Sequence, residues 1–309
     1  MNPDDVARLH DQYVIRTAGP IAKSEGKVML REIERHRPRS FIEVGTSSGL
    51  STGLIAHMLH DNGGEHLVSV DLNDRYYRDD SKATGFLAEQ IYTGDRVRID
   101  LRSPATSEQV PSWDETFEMG FVDGSHQHPW PLLDTLFLRT RMSGPMFLFH
   151  HDLILYKTQP TAPGVGPKYL FDQFPESHRT RYQARRGNLF SLDLTLGTDR
   201  LEDAAVEAFW MPWTTLRRMG DEQHDLLRGL LSEHYSPRVV EAFDKSRALY
   251  ARPPQRPKPS PSASTSASPS ASTSAATSAG RSPRSAVVRR ARAVASRARG
   301  EVRRLVRRR

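Results

Sequence analysis

Apolar residues in this chain come in short runs separated by amphipathic stretches. Residues 25–37 set Val28, Leu30 and Ile33 at helical spacing among charges, which predicts a helix leading into a strand at Ser40–Val44. A second helix is expected over Ser51–His60, closed by a turn at Asn62-Gly63-Gly64. Further strands are expected at Leu67–Val70, Val97–Leu101, Glu118–Val122 and Met146–Phe149, with a helix over Pro131–Arg139. Alternation of short apolar strands with helices predicts βαβ units, hence an α/β fold on a mainly parallel sheet.

The pattern changes after Asp152. Gly166–Phe174 reads as a helix, and Thr180–Arg185 and Asn188–Leu194 flank Arg186-Gly187 as an antiparallel hairpin at one sheet edge. Three helical segments are expected over residues 201–250, broken near Gly220 and at Ser236-Pro237, with Trp210, Met211 and Trp213 packing one of them on the body. Residues 252–283 are mostly Pro, Ser, Ala and Thr with almost no apolar bulk, the composition of a disordered linker. Beyond it, Val287, Ala291, Val294, Ala298, Val302 and Leu305 recur among arginines as in a basic amphipathic helix.

Charge follows the same division. Residues 281–309 hold twelve arginines and one glutamate, so the whole-chain net of +7 leaves the first 280 residues at −4. Basicity is therefore a property of the tail and carries no message about the folded part's substrate. That tail could adhere to an anionic membrane surface or to nucleic acid, which keeps a nucleic-acid (RNA) modifier or binder as an alternative. The absence of cysteine removes thiolate metal sites and cysteine nucleophiles. A polar start and no long apolar run make a cytoplasmic protein the expectation, with peripheral membrane association through the tail as a variant.

The chemistry concentrates between Phe41 and Asp152. Phe41-Ile42-Glu43-Val44-Gly45-Thr46-Ser47-Ser48-Gly49 is a strand running into a glycine loop that opens a helix, where free N–H groups meet a polar ligand. Its spacing is not G-x-G-x-x-G, which disfavours an NAD(P)-type oxidoreductase. Asp71 ends the next strand 26 residues after Gly45, where a carboxylate can accept both hydroxyls of a ribose. A second constellation, Asp123-Gly124-Ser125-His126 and His150-His151-Asp152, follows two later strands and would share one rim. Carboxylates and imidazoles converging there can hold a divalent cation, and an imidazole can take a hydroxyl proton.

These segments resemble a known family. EGKVMLREIERHRPRSFIEVGTSSGLST, FEMGFVDGSH and SGPMFLFHHD are similar to class I S-adenosylmethionine-dependent O-methyltransferases of the catechol O-methyltransferase group, over roughly residues 25–195. The resemblance implies a Rossmann-like methyltransferase domain, set at residues 1–200; the helical extension over 201–251, the linker 252–283 and the Arg-rich tail 284–309 are read from pattern and composition. It implies that Glu43, Gly45, Thr46 and Gly49 shape the methionine-side pocket and that Asp71 holds the ribose. Family members usually carry Gly-Asp-Ser or Gly-Asp-Ala after the third strand, where this chain has Leu101-Arg102-Ser103, making Ser103 the adenine-side candidate. The metal-dependent sugar O-methyltransferases of macrolide pathways are similar at Asp-Gly-Ser-His, which implies Asp123 as magnesium ligand and His126 as base. Their second acidic motif falls on His150-His151, with Asp152 next. His151 is thus a candidate for both catalysis and metal binding, and Asp152 is a candidate ligand for magnesium or a softer divalent ion. The expected acceptor is a hydroxyl of a small molecule or glycan.

Overall fold

The computed structural model describes residues 1–15, 21–158, 164–183, 187–215 and 219–250. The linker and the basic helix expected beyond residue 251 lie outside the described residues. Met1–Tyr250 form one compact unit.

Nine strands and ten helices are described. In chain order they are α1 (Pro3–Tyr13), α2 (Lys23–His36), β1 (Ser40–Val44), α3 (Leu50–Asn62), β2 (His66–Val70), β3 (Arg75–Tyr76), β4 (Asp79–Ala83), α4 (Ala88–Ile91) and β5 (Arg98–Arg102). Then come β6 (Phe117–Val122), α5 (Trp130–Arg139), β7 (Met142–His150), α6 (Leu155–Thr158), α7 (Gly166–Gln173), β8 (Arg179–Arg181), β9 (Phe190–Asp193), α8 (Thr198–Phe209), α9 (Asp221–His234) and α10 (Pro237–Tyr250). The main sheet has seven strands in the order β5-β2-β1-β6-β7-β9-β8. The pairs among β5, β2, β1, β6 and β7 are parallel, and β9 joins β7 and β8 antiparallel. The expected mainly parallel sheet and its antiparallel edge hairpin are both present. The small β3–β4 hairpin and helix α1 were not foreseen, because Arg75–Ala83 has neither apolar alternation nor a turn dipeptide.

Both faces of the sheet are covered, which explains why its strands read as nearly continuous apolar runs. Successive residues of β1 feed opposite cores: Phe41 joins Leu54, Leu67, Phe121 and Phe149 on the α1–α4 side. Ile42 and Val44 join Val68, Leu133, Leu148 and Phe190 on the other. That second core also takes in Leu201, Ala205, Leu227 and Phe243, so helices α8–α10 share it with the sheet. Trp213 stacks on Phe243 with ring centroids 5.8 Å apart. Among the described residues no helix is long and apolar enough to cross a membrane.

The strand order reverses beside β1, which goes one way to β2 and the other way to β6. A crevice opens at the carboxyl ends of the strands at such a switch point. The residues that follow four neighbouring strands are held there by continued ladder bonds. Gly45 donates to Val70, Asp71 to Arg102, Asp123 to Val44 and His151 to Val122, each N–H to a carbonyl at 2.8–3.1 Å. The two sequence constellations therefore occupy one edge.

Candidate active site

A cavity of about 1040 Å³ lies along this edge. One end is backbone. Gly45 and Gly49 take φ of +101° and +86°, and Ser47 takes +50°. A Cβ on Gly45 would stand 2.4 Å from the Asp123 carbonyl oxygen, and one on Gly49 would stand 2.8 Å from that of Gly85. Only glycine meets both the backbone angle and the close approach. The loop passes into α3, whose first turn lacks acidic residues, so its unpaired N–H groups leave a positive end beside Ser48, Leu50 and Ser51 on the cavity wall.

Asp71 holds this loop from β2. Its Oδ2 accepts the Ser47 N–H at 2.9 Å and its Oδ1 accepts the Asn73 N–H at 2.9 Å. Oδ1 also accepts Asn73 Nδ2–H at 3.3 Å, whereas Oδ2 retains a further acceptor position, and the residue lines the cavity. Thr46 also lines it, tied through its hydroxyl to Ser69 at 2.7 Å.

Glu43 does not reach the cavity. Its side chain is fully buried beneath the loop, and its Oε2 accepts Thr52 Oγ1–H at 2.5 Å and Ser69 Oγ–H at 2.6 Å. Burial pushes this carboxyl up to about 7, against the three hydroxyls around it. It binds β1, β2 and α3 together and acts on the site through them. Gly49 likewise serves the turn and the Gly85 contact rather than the wall. Ser103, the adenine-side candidate, follows β5 but does not line the cavity, whose wall there is Thr106, Ser107 and Glu108. The chain turns back after Pro104, with Ala105 N–H bonded to the Asp71 carbonyl at 2.8 Å, so the later residues come forward.

The opposite end is made of charged side chains. His126 Nε2 lies 2.9 Å from Asp152 Oδ2 and 3.2 Å from Asp123 Oδ1. Burial alone would lower this imidazole, but the two carboxylates raise it to about 9. Asp152, at φ +61°, is fixed through Oδ1 by Asn188 Nδ2–H at 2.6 Å. Burial opposes charge on Asp123 as well, yet His151 and His126 hold its carboxyl far below the ordinary range.

His151 is where the sequence expectation needs correction. It is 4% exposed and does not line the cavity. Its Nδ1 faces Asp123 Oδ1 at 3.1 Å and its Nε2 faces Glu25 Oε2 at 3.1 Å. Burial disfavours its charge, but Asp123 and Glu25 keep it protonated well above the ordinary imidazole range. With both ring nitrogens spent on carboxylates, His151 offers neither a lone pair for a metal nor a base for a substrate. It is a buried imidazolium that fixes Asp123. His150 belongs to the core: it stacks on Phe190 at 5.0 Å, and burial lowers it to about 3.

The ion-binding geometry falls instead on Asp123, His126 and Asp152, one ligand atom from each lying within 4.8 Å of the others. Two residues escaped sequence reading. Glu25 lies on α2, 98 positions before Asp123, and its only sign was an acid in a first helical turn. Asp134, on α5, lines the cavity at 6% exposure, and the sign was an acid inside the apolar run Leu132-Leu133-Asp134-Thr135-Leu136.

No curated protein sequence matches the chain. Among solved structures, a Podospora anserina methyltransferase bound to S-adenosylhomocysteine is similar at 13% identity, over 62% of this chain and 87% of its own, with a TM-score of 0.45. A Bacillus cereus O-methyltransferase in complex with S-adenosylhomocysteine gives 13% identity, 62% and 90% coverage and a TM-score of 0.44. The Streptomyces achromogenes O-methyltransferase TomG, involved in tomaymycin synthesis and bound to S-adenosylmethionine, gives 19%, 62%, 88% and 0.41. Residues 42–153, which hold the glycine loop, Asp71 and the Asp123–Asp152 rim, match a family model described as a methyltransferase domain. Over these residues the chain carries a methyltransferase domain.

Proposed function

We propose that this enzyme methylates a hydroxyl oxygen of a small molecule or glycan, with the transfer occurring between the loop end and the rim end of the one cavity. The observation that carries this reading is their continuity: Gly45, Asp71, Asp123, His126 and Asp152 all line the same space. Its volume of about 1040 Å³ is at the upper end for small-molecule sites, room for a cofactor and a modest acceptor together.

In this reading the loop N–H groups and the α3 terminus bind the methionine side, and Asp71 accepts the ribose hydroxyls. S-adenosylmethionine, when bound, supplies an electrophilic sulfonium methyl. The walls hold the acceptor oxygen in line with that methyl, which contributes acceleration by orientation alone. His126 Nε2 takes the hydroxyl proton.

The carboxylates fit a divalent cation: an oxygen of Asp123 and one of Asp152 converge with the His126 imidazole within 4.8 Å, and oxygen donors suit magnesium as well as other divalent ions. Asp123 and Asp152 would hold the ion, which would lower the acceptor's pKa and orient it. The arrangement also gives His126 its freedom. It is held as an imidazolium because its own proton answers the two carboxylates, and with another positive charge held between Asp123 and Asp152 its Nε2 would be free to accept.

The test is transfer of labelled methyl to a panel of hydroxyl compounds, with His126→Ala alongside. The expected result is loss of transfer in the variant while S-adenosylhomocysteine affinity stays within about threefold. Labelling of nitrogen or carbon acceptors only, or full transfer by His126→Ala, would overturn the oxygen reading.

A further inference from the structure

Glu25 belongs to the rim, yet the proposed reaction gives it nothing to do. It sits in the first turn of α2, 5% exposed, and does not line the cavity. One oxygen carries two contacts: Oε2 accepts the Ala22 N–H at 2.7 Å and the His151 Nε2–H at 3.1 Å. The first of these closes the start of α2 and needs only an acceptor, which a neutral amide supplies as well as a carboxylate. A carboxylate taken this far from water needs a cation, and the cation it meets is His151.

His151 presents one ring nitrogen to each of two carboxylates, Glu25 and Asp123, both at 3.1 Å. Its single positive charge is therefore shared between them. His126 stands apart from this count, because its Nε2 faces the acceptor hydroxyl in the proposed reaction. What remains is three carboxylates, Glu25, Asp123 and Asp152, against one imidazolium, an excess of two negative charges. A divalent ion is the complement of that excess. Without the Glu25 charge the imidazolium would serve Asp123 and Asp152 alone, and only one negative charge would be left over. We propose that Glu25 is a positioning residue that matches the charge of the rim to a divalent cation: by sharing the His151 imidazolium it leaves Asp123 free to act as a donor. This rests on the reading that Asp123 and Asp152 hold such an ion. The effect is carried through buried groups, where charge is weakly screened, and partners of this outer kind contribute about 10- to 100-fold to metal affinity.

Titration of the full chain with Mn²⁺ alone, followed by the paramagnetic resonance of the free ion, tests this for the wild type, Glu25→Gln, Glu25→Ala and the double variant Glu25→Gln/His151→Gln. Thermal midpoints and S-adenosylhomocysteine affinity are measured for each. Glu25→Gln keeps an oxygen for Ala22 and His151 and removes only the charge, so Mn²⁺ affinity should fall about tenfold or more. Its S-adenosylhomocysteine affinity should stay within about threefold, since the loop end is untouched. The double variant removes one charge of each sign and restores the excess of two, so its Mn²⁺ affinity should return to within about threefold of the wild type. Unchanged Mn²⁺ affinity in Glu25→Gln, with loss and a lowered midpoint only in Glu25→Ala, would make Glu25 a support of α2 and overturn the inference. A folded double variant that binds Mn²⁺ no better than Glu25→Gln would overturn the charge match as well. If the wild type binds S-adenosylhomocysteine but no Mn²⁺, the cation reading falls and this inference with it, while methyl transfer to oxygen stands on its own test.

Discussion

The two ends of the cavity are built from different material. The loop end is backbone: three positive φ angles, a helix terminus and glycines that admit no Cβ, held by the Asp71 carboxylate. The rim end is side chain: Asp123, His126, Asp152, His151 and Glu25, drawn from α2 and from the loops after β6 and β7, held by alternating charge. A backbone site is encoded where it stands, because glycine spacing fixes the turn locally. A side-chain site depends on which distant groups share a proton. The two ends should therefore fail differently when perturbed, the rim through stability and proton affinity and the loop through ligand affinity.

The largest effect is expected at His151. Removing it leaves Asp123 and Glu25 as buried carboxylates without the cation between them, a defect of about 3–5 kcal/mol. His151→Ala should lower the urea midpoint accordingly, while the folded fraction keeps S-adenosylhomocysteine affinity within about threefold. An unchanged midpoint would show that the carboxylates find another partner and that the rim is less dependent on charge than argued.

That result bears on what the sequence made legible. Glycine loop, Asp71, Asp123 and His126 were readable because each follows a short apolar strand, and the sheet then aligns all strand ends. His151 was read as a ligand because it also follows a strand. Nothing local reveals that Glu25, reaching in from α2, takes its second nitrogen. The cavity wall beyond Asp71 was hard to read for a similar reason. Ser103 follows β5 directly, yet the wall comes from residues 106–108 after the chain turns back and from Asp134 on α5. Helix α5 itself was legible; that one of its buried positions faces a cavity rather than the core was not.

Glu43 gives the second effect, at the base of the loop end. Its folded carboxyl sits at about 7 against an ordinary 4.5, so the folded state keeps a proton the unfolded chain has lost. Its contribution is complete below pH 4.5 and is lost as pH rises through 7. A shift of this size is worth about 3 kcal/mol. Stability measured by urea from pH 5 to 8 should fall more in the wild type than in Glu43→Gln, whose amide carbonyl can still accept from Thr52 and Ser69. Parallel profiles would mean that Glu43 is ionised in the folded protein.

Asp71 separates the two ends most directly. Asp71→Ala should weaken S-adenosylhomocysteine binding by about 1–3 kcal/mol through loss of charge-assisted hydrogen bonds, part of it through the freed Ser47 N–H. Asp123→Ala should leave that affinity within a few-fold and abolish methyl transfer, and chelation should reproduce it if the rim uses a cation. Equal loss of affinity in both variants would join the two ends into one binding unit.

The smallest effect should come from removing residues 252–309. Met1–Tyr250 form one compact unit, and both ends of the cavity are assembled from residues within it. The removed segment holds the twelve C-terminal arginines and few apolar side chains, a composition that gives strong attraction to anionic surfaces and little to bury in a core. A chain ending at Tyr250 should therefore keep its thermal midpoint within about 2 °C and its cofactor affinity within about twofold, a change of under about 0.5 kcal/mol. Any binding of the full chain to anionic vesicles or RNA should disappear with the tail and should weaken steeply with salt before that. A drop in cofactor affinity on truncation would place part of the ligand's surroundings beyond Tyr250. A drop in the midpoint alone would place part of the core there, and in either case the division between a loop end and a rim end would no longer account for the whole site.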